Sequence, residues 1–322
     1  MIDLDRFKRL LWLRAWYLKI KLPMRFPMIL NIEPTNRCNL ACEMCPRAKS
    51  GRPLVDLDWT VFERLCGELR REGPIQRVFL QKDGEPLLYK RLPEMIALLR
   101  TNHAAKNISV ISNGTLLTTA LFDRLAASGL DDLIISIDAV DSAGYRALKG
   151  ADLYETVVAN VEAALAIKRA RGLRFPLIKA RMVERKGAEA DVELFRRRWT
   201  GVADAVDVTP FHTWMGSVED HRTYVTKSRY PCSLLWYTGI INADATVSPC
   251  CIDYSCRGVL GKLGEGGFSP LWNGRELGVL RRRHLRGEYD QTAICGSCEY
   301  WQIKEDLGAW LRRKYRCGNA VE

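Results

Sequence analysis

Three cysteines lie within eight residues of the chain, in the stretch CNLACEMC at positions 38–45. Cys38, Cys42 and Cys45 are separated by three and two residues, and no fourth cysteine follows them closely. A [4Fe–4S] cluster has four irons and usually takes thiolate ligands, so three cysteines leave one iron free to bind another molecule. The alternative is a zinc site that a distant fourth ligand completes.

A second set of cysteines lies in the last third of the chain. Cys232 and Cys250 bracket the segment PCSLLWYTGIINADATVSPC, which has the pattern of a β-hairpin. Cys295 and Cys298 form a C-x2-C pair. Two such pairs bind either zinc or a [4Fe–4S] cluster, and the spacing does not decide between them.

Short apolar runs rich in β-branched residues alternate with segments of helical periodicity. The strands are predicted at 28–35, 77–81, 107–112, 133–138, 177–183 and 205–210. The helices between them are predicted at 58–73, 92–100, 119–128, 153–171 and 188–198. This alternation predicts an α/β fold of parallel β/α units, here a partial (β/α)6 TIM-like barrel. Chemistry in such folds lies at the carboxyl ends of the strands, where the 38–45 loop begins.

The chain divides into three predicted parts. Residues 1–27 form an N-terminal helical extension, residues 28–215 the partial barrel, and residues 216–322 a small cysteine-bearing domain with a tail. The hairpin and a helix at 275–286 are the elements predicted for the small domain. Residues 4–22 combine an apolar helical face with basic residues, and we interpret them either as a membrane-surface helix or as a helix packed on the domain's own flank.

The composition is that of a globular protein of 322 residues, with 47% hydrophobic and 27% charged residues. We find no signal peptide and no apolar run near the about 18 residues that a membrane span needs. Eleven cysteines without an export signal indicate metal or redox chemistry in a reducing compartment, so we expect a cytoplasmic protein. The net charge is +11, but the basic residues are spread over helices without an aromatic–basic module, so we do not expect nucleic-acid binding.

The CNLACEMC loop after the first strand resembles the cluster motif of the radical S-adenosylmethionine (SAM) superfamily. The resemblance implies that the amino and carboxylate groups of SAM chelate the fourth iron of a [4Fe–4S] cluster. One electron, from a donor such as flavodoxin or ferredoxin, then cleaves SAM to a 5′-deoxyadenosyl radical, which abstracts a hydrogen atom from the substrate.

Two further motifs follow the same family pattern. Asp83-Gly84-Glu85-Pro86, at the end of the second strand, is similar to the family's GGEP motif with Asp at the first position. The resemblance implies that Glu85 and the local backbone hold the SAM ammonium group. Met44, just before the third cysteine, stands where the family places a bulky residue against the adenine.

Polar residues at the later strand ends complete the implied SAM site. Ser136 and Asp138 end the fourth strand, where the family has a ribose contact, and Asn113 ends the third strand on the same rim. Arg181 on the fifth strand is expected to pair with the SAM carboxylate. The alternatives are that Ser136 is an ordinary strand-end residue and that Arg181 serves a structural ion pair.

The C-terminal cysteines resemble the SPASM/Twitch extension of radical SAM proteins. Ala245-x4-Cys250 is similar to that family's G-x4-C step, with Ala in place of Gly. The resemblance implies that Cys232, Cys250, Cys295 and Cys298 bind one auxiliary [4Fe–4S] cluster as in the shorter Twitch form. The longer SPASM form has more cysteines after Cys298, whereas only Cys317 remains here.

The other cysteines are assigned by their surroundings in the sequence. Cys66 lies in a helical pattern and is predicted to be in the core, and Cys256 and Cys317 are predicted to be free thiols. Cys251 directly follows a predicted ligand. We interpret it either as a small buried residue or as a catalytic hydrogen-atom donor near the substrate radical.

The chain also resembles Twitch enzymes of aminoglycoside biosynthesis, such as the alcohol dehydrogenase of butirosin assembly. The resemblance implies a small-molecule, carbohydrate-like substrate such as a sugar or aminocyclitol. A carbon radical beside a hydroxyl group gives a ketone when it loses a proton and an electron, and the auxiliary cluster is an electron acceptor. We therefore expect oxidation at a hydroxyl-bearing carbon, with epimerisation through Cys251 as the alternative.

A second enzyme hypothesis is modification of a peptide or protein, because many SPASM proteins act on ribosomal peptides or sulfatases. Such peptide enzymes often carry a leader-recognition domain before the cluster motif. Only 37 residues precede Cys38, which are too few for that domain, although it also occurs as a separate chain.

Overall fold

The computed structural model describes residues 24–223 and 229–304, so the predicted helix at 4–22 and Cys317 lie outside the described residues. The strands are β1 (Ile29–Ile32), β2 (Arg77–Leu80), β3 (Ile108–Ser112), β4 (Asp132–Ser136), β5 (Leu177–Glu184), β6 (Ala205–Pro210), β7 (Thr238–Ile241), β8 (Thr246–Ser248) and β9 (Gly261–Lys262). They form one sheet with the order β6-β5-β4-β3-β2-β1-β7-β8-β9.

The first six strands form the predicted partial barrel. They run parallel, and each pairs with the next one along the chain from β1 to β6. Their apolar residues are buried on both faces in β4, as expected for parallel strands covered by helices. The sheet stays open, with β6 at one end of the strand order.

Helices follow the strands of the barrel and the hairpin. They are α1 (Trp59–Glu72), α2 (Leu92–Thr101), α3 (Thr119–Ala127), α4 (Ser142–Lys149), α5 (Tyr154–Ala170), α6 (Glu189–Trp199), α7 (Ser269–Trp272) and α8 (Arg275–Arg286). Side-chain caps begin some of them: Asp58 accepts from the backbone N–H of Val61 at 3.0 Å, and Thr118 accepts from that of Leu121 at 3.2 Å. None of the helices in the described ranges has both the length and the apolar character needed to cross a membrane.

Helix α4 was not predicted from the sequence. Asp141 caps its start by accepting from the backbone N–H of Gly144 at 2.7 Å, and Gly150 ends it with φ of 70°. A helix of two turns is marginal by itself, and this one is stabilised by burial of Tyr145 and Leu148. A helix this short has too few turns for its periodicity to be recognised in the sequence. Its carboxyl end nevertheless lies beneath the 38–45 loop.

The C-terminal hairpin continues the barrel sheet. β7 and β8 pair antiparallel, as predicted for a hairpin. β7 also pairs parallel with β1, so that Ile29 lies opposite Thr238 and Ile32 opposite Ile241. Because β1 pairs with β2 on its other side, the chain segments that leave these three strands emerge at one edge.

Glu68 of α1 makes a second connection between the barrel and the C-terminal region. It is buried, and its carboxylate accepts from the backbone N–H groups of Phe268 and Ser269, each at 2.7 Å. Phe268 is itself fully buried in the main core, together with Cys66 of α1 as predicted. A charged acceptor thus satisfies two N–H groups that would otherwise lack partners at the start of α7.

The first prediction concerns this connection. Glu68→Ala leaves the two buried N–H groups without an acceptor, so we expect the free energy of unfolding to fall by about 1–3 kcal/mol. Thermal unfolding of anaerobically purified protein at equal iron content measures the change. Glu72→Ala on the same helix is the control, because Glu72 reaches Arg25 only at 3.9 Å. Equal melting temperatures for the two variants would contradict the assigned role.

Candidate functional site

The three cysteines of the 38–45 loop are neighbours at the carboxyl end of β1. The charge of Cys45 interacts with those of Cys42 and Cys38, and the backbone N–H of Cys45 donates to the Cys42 carbonyl at 3.1 Å. Burial raises the pKa of all three thiols, to about 11 for Cys45. Thiolates at these positions therefore require a bound cation, which a metal supplies.

Hydrogen bonds to distant segments hold this loop in place. The side chain of Asn36 donates to the Pro53 carbonyl at 2.7 Å and accepts from the Val55 N–H at 2.8 Å. The N–H of Glu43 donates to the carbonyl of Leu148 in α4 at 2.9 Å. The cysteines are thus presented by a backbone that the fold itself positions.

Gly84 lets the Asp83–Pro86 segment touch the same loop. A Cβ atom on Gly84 would lie 2.2 Å from the Thr35 carbonyl oxygen and 2.7 Å from that of Arg37. The next residue, Glu85, donates its backbone N–H to the Arg37 carbonyl at 2.8 Å. The close approach of two backbones explains why glycine is required at this position.

Glu85 is buried and accepts three hydrogen bonds from its own chain. Its Oε1 accepts from the Ser112 hydroxyl at 2.7 Å and the Leu87 N–H at 3.0 Å, and its Oε2 accepts from the Asn113 N–H at 2.7 Å. Burial raises the pKa of this carboxyl, and the hydrogen bonds oppose the rise. Glu85 thus ties the end of β2 to the end of β3, and its contact with the SAM ammonium stays a prediction.

Asp138 lies at the end of the β4 segment in a left-handed conformation, with φ of 62°. Its Oδ2 accepts from Nζ of Lys149 at 2.5 Å, and its Oδ1 accepts from the Val183 N–H at 2.8 Å. Lys149 is buried, and its charge interacts with that of Cys42. This cation beside the cysteine loop was not predicted, because it lies at the end of the unpredicted helix α4.

Ser136 and Arg181 lie opposite each other on β4 and β5. Arg181 donates from Nε and Nη2 to Asp207 Oδ2, at 2.8 and 2.5 Å. Asp207 lies directly across from it on β6. The ion pair that was one interpretation of Arg181 is thus present, while its contact with the SAM carboxylate and that of Ser136 with the ribose stay predictions.

The other predicted SAM contacts lie on the same rim. The Asn113 amide donates to the side-chain oxygen of Asn39 in the cysteine loop at 3.0 Å. Pro86 is buried at the start of a 3-10 turn. Met44 packs partly buried against the core, and its carbonyl accepts from the Trp214 indole N–H at 3.1 Å.

Cys232, Cys250, Cys295 and Cys298 come together in the C-terminal region. The charge of Cys232 interacts with those of the three other thiols. The N–H of Cys298 donates to the Cys295 carbonyl at 3.2 Å, and that of Cys295 donates to the Thr292 hydroxyl at 3.0 Å. Burial raises the pKa of Cys232, Cys295 and Cys298, to about 11 for Cys295, and a hydrogen bond with Cys251 raises that of Cys250. Thiolates here also need a nearby positive charge, which a bound metal would supply.

Cys251 and Cys256 belong to the same loop but have different neighbours. The thiol of Cys251 lies against that of Cys250, on the side of the four grouped cysteines. The thiol of Cys256 is near the charges of Lys82 and Arg52, and its backbone is left-handed with φ of 54°. Cys256 therefore faces the barrel rim, which the sequence did not indicate.

Four buried charged residues, Glu33, Arg52, Lys82 and Asp83, form what we call the rim charge cluster. Arg52 pairs with Glu33 at 2.7 Å and with Asp83 at 2.8 Å, and Lys82 pairs with Asp83 at 2.5 Å. None of the four side chains is more than 7% exposed. Glu33 directly follows β1, and Lys82 closely follows β2. The cluster was not predicted from the sequence, although charged residues directly after apolar strands could have indicated it.

The rim charge cluster also contacts the hairpin. Lys82 Nζ donates to the carbonyl of Asp253 at 3.1 Å, and the N–H of Ala243 donates to Glu33 Oε2 at 2.9 Å. The Nε–H of Arg52 is buried and has no hydrogen-bond partner among the described residues. The hairpin is thus fixed above the strand ends by charge-assisted hydrogen bonds.

Two protein-family models match the chain on these same segments. The radical SAM superfamily matches residues 32–177, which include the cysteine loop, and the iron–sulfur cluster-binding SPASM domain matches residues 232–299, which include the four grouped cysteines. The chain therefore contains a radical SAM domain and, after it, a SPASM domain. The resemblance inferred from the motifs is therefore confirmed.

Curated relatives match parts or most of the chain, and solved structures share its fold. GTP 3′,8-cyclase of Heliobacterium modesticaldum is 35% identical over 141 residues, which are 42% of this chain and 42% of that protein. PqqA peptide cyclase of Xanthomonas oryzae pv. oryzae is 26% identical over 315 residues, covering 86% of this chain and 81% of that protein. The structure of BtrN in complex with AdoMet and 2-DOIA has a TM-score of 0.59 at 18% identity, covering 85% of this chain and 93% of BtrN.

The radical SAM and SPASM domains imply SAM, a SAM-binding iron–sulfur cluster and an auxiliary cluster. The residues present fit these groups, because each cysteine set brings together half-buried thiols whose charges interact, and a bound metal would take the place of the thiol protons. Among the described residues, no three His, Cys, Asp or Glu side chains are close enough to hold a single metal ion. The iron–sulfur assignment of the SPASM domain replaces the zinc alternative for the second set.

The second prediction concerns Gly84. Gly84→Ala forces the Asp83–Pro86 segment away from the cysteine loop, so we expect loss of iron from the first site, about half of the total. Iron analysis after anaerobic reconstitution measures it. Gly67→Ala is the control, because its new Cβ would meet only Arg71 at 3.8 Å. Full iron content in Gly84→Ala would show that the close approach at this glycine is not needed for cluster binding.

The third prediction concerns the division of iron between the sites. Two [4Fe–4S] clusters give about eight irons per chain, and Cys298→Ala should retain about four. That variant should still cleave SAM, whereas Cys38→Ala should not. Cys256→Ser, which changes a thiol outside both sets, should keep all the iron. Four irons with one zinc in the unchanged protein would refute the auxiliary cluster.

Proposed function

We propose that this radical SAM protein oxidises a hydroxyl-bearing carbon of a carbohydrate-like small molecule, such as a sugar or aminocyclitol, to a ketone. The observation that carries the proposal is the position of the auxiliary cysteines. Their hairpin shares the barrel sheet through β7 and contacts the rim through Asp253 and Ala243. An electron acceptor held there lies beside the strand ends, where a substrate radical would form.

The overall reaction is balanced. One molecule of SAM and one secondary alcohol give methionine, 5′-deoxyadenosine, a ketone and a proton. The alcohol loses one hydrogen atom to the deoxyadenosyl carbon and then one proton and one electron. One electron enters for SAM cleavage and one leaves with the ketone, so the net electron count is zero. When bound, the clusters and SAM supply this one-electron chemistry.

The rim residues divide into two proposed groups. Glu85, Asn113, Ser136, Asp138 and Arg181, with Gly84, Pro86 and Met44, bind and orient SAM. They are positioned by the fold independently of a ligand, because Glu85 and Asp138 are already hydrogen-bonded to neighbouring strands. A prearranged site keeps the reacting groups in place without a further ordering cost.

The rim charge cluster is proposed to face the substrate. Its unpartnered Arg52 Nε–H, beside Lys82 and Cys256, is a donor suited to a hydroxyl group. The fold of BtrN, whose structure contains AdoMet and 2-DOIA, supports a substrate of this kind. Charged partners around a buried donor disfavour an apolar substrate, because the donor would then stay unsatisfied.

Peptide modification is the second candidate function. The observation in its favour is the match to PqqA peptide cyclases, which extends over both domains at 26–29% identity and 315 residues. A peptide substrate would leave 5′-deoxyadenosine as a product but no ketone of a small sugar. Product analysis therefore separates the two candidates.

Epimerisation is the alternative outcome at the same carbon. It requires a thiol that returns a hydrogen atom to the opposite face. Cys251 was the donor predicted from sequence, and Cys256 is a second candidate because it faces the rim. Oxidation requires neither thiol.

The fourth prediction separates oxidation from inversion. In D2O the oxidised product should be two mass units lighter than the substrate and carry no deuterium at the reacting carbon, because no hydrogen returns to it. Mass spectrometry of products from candidate aminocyclitols and sugars measures this. A product of unchanged connectivity that gains one deuterium would establish inversion instead.

Two cysteine variants sharpen this test. If oxidation is correct, Cys251→Ala and Cys256→Ala should both keep the ketone as product, within a few-fold of the unchanged rate. Loss of a deuterated product in one variant, with a ketone in its place, would identify that residue as the hydrogen donor. A 5′-deoxyadenosine signal only with peptide substrates would favour the second candidate function.

A further inference from the structure

Arg229 binds the turn that carries one pair of the auxiliary cysteines. Its Nη1 donates to the Gly296 carbonyl at 2.8 Å, and its Nη2 donates to the Cys295 carbonyl. Both carbonyls belong to the C-x2-C turn that presents Cys295 and Cys298. Because the donor is charged, these hydrogen bonds are stronger than bonds between neutral groups. The guanidinium group therefore holds this turn directly.

The same guanidinium group lies near the residue that holds Cys232. Nδ1 of His284 in α8 accepts from the backbone N–H of Cys232 at 3.1 Å. Because Nδ1 accepts this bond, it carries no proton, and the imidazole is neutral. Burial and, after it, the charge of Arg229 lower the pKa of His284, so the guanidinium group is close to the ring. Arg229 thus places a positive charge beside both ligand-bearing segments.

Arg229 is half-buried against uncharged groups. Its guanidinium carbon lies 4.2 Å from the centre of the Tyr289 ring, whose face attracts a cation. Its Nε–H is buried and has no hydrogen-bond partner within residues 24–223 and 229–304. A partly buried charge is screened less than an exposed one, so its field acts on the neighbouring ligands.

Position, and not only the kind of partner, distinguishes Arg229 from other partly buried arginines. The charge of Arg52 is compensated by two carboxylates in the rim charge cluster. Arg281 donates to the Leu235 carbonyl at 2.9 Å, three residues from Cys232. Arg229 contacts a ligand turn itself, with carbonyl groups and a ring as its partners.

We propose that Arg229 is a positioning residue that raises the reduction potential of the auxiliary site. Net charge and hydrogen bonds around an iron–sulfur cluster set its potential, and a nearby cation favours the reduced, more negative state. The use of this effect in catalysis rests on the proposed oxidation, in which the substrate radical gives one proton to solvent and one electron to the auxiliary site. A higher potential makes that site a better acceptor for this electron.

A redox titration of the holoenzyme, followed by the electron paramagnetic resonance of the reduced clusters, tests the proposal. The Cys38→Ala protein, which we expect to lack the first cluster, identifies the auxiliary signal. Arg229→Gln removes the charge and keeps a hydrogen-bond donor. We expect it to make reduction of the auxiliary site at least about tenfold less favourable, a fall of about 59 mV for one electron.

Two further variants separate charge from structure. Arg229→Lys keeps the positive charge, and we expect reduction of the auxiliary site to change by less than about threefold. Arg282→Gln removes one charge from the exposed side of α8, where solvent and salt screen it, and should also change reduction by less than about threefold. Iron content and the potential of the first cluster should stay unchanged in all three variants.

Three results would overturn the role of Arg229. The first is an auxiliary potential in Arg229→Gln equal to that of the unchanged protein. The second is a fall of the same size in Arg229→Lys or Arg282→Gln, because charge at this position would then not be the cause. The third is loss of about four irons from either Arg229 variant, since a need for cluster binding would then replace an effect on the potential.

The product of the unchanged protein tests the proposed oxidation separately. If the potential falls in Arg229→Gln as expected but the unchanged protein forms no ketone, only the oxidation fails. If the ketone forms and the potential does not depend on Arg229, only the proposal about Arg229 fails.

Discussion

The pairing of β1 with strands on both sides is the constraint on which both cysteine sites depend. Four residues of β1 align with β2 in one direction and with β7 in the other. The cysteine loop, the Asp83–Pro86 segment and the turn toward β8 therefore begin at one edge of the sheet. Main-chain hydrogen bonds, which depend little on side-chain identity, thus fix the auxiliary hairpin relative to the first site.

The rim charge cluster restricts the hairpin to one position against the barrel. Two cations and two carboxylates are buried there, and any shift of the hairpin would leave some of them without partners. Breaking such a pair costs about 3–5 kcal/mol, far more than its formation gains. The close approach at Gly84 acts in the same direction, because it allows the two loops to meet only in one register. The buried ion pairs and the close backbone packing at Gly84 together explain why the site is already arranged before a ligand binds.

Local patterns predicted most of the fold, and the missing parts are long-range. The alternation of apolar runs located the strands from β1 to β6, and the cysteine spacing indicated the two groups of cysteines that the fold brings together. The parallel pairing of β7 with β1 joins positions about 200 residues apart, and no local period encodes it. The Arg52–Glu33 pair was missed for the same reason, since its two residues come from different loops. Lys149 was missed together with the short helix α4 that ends with it.

The choice between oxidation and inversion depends on one short loop. Cys250, on the auxiliary side, and Cys256, on the rim side, are six residues apart, and Asp253 between them accepts from the N–H groups of Arg257 and Gly258 at 3.0 and 2.8 Å. Under the proposed function, an electron acceptor and a thiol would compete for the same radical from either end of this loop. The position of the substrate along the loop would then decide between loss of an electron and gain of a hydrogen atom. The left-handed backbone of Cys256, which costs a non-glycine residue about 1–2 kcal/mol, is retained because the loop contacts hold it there.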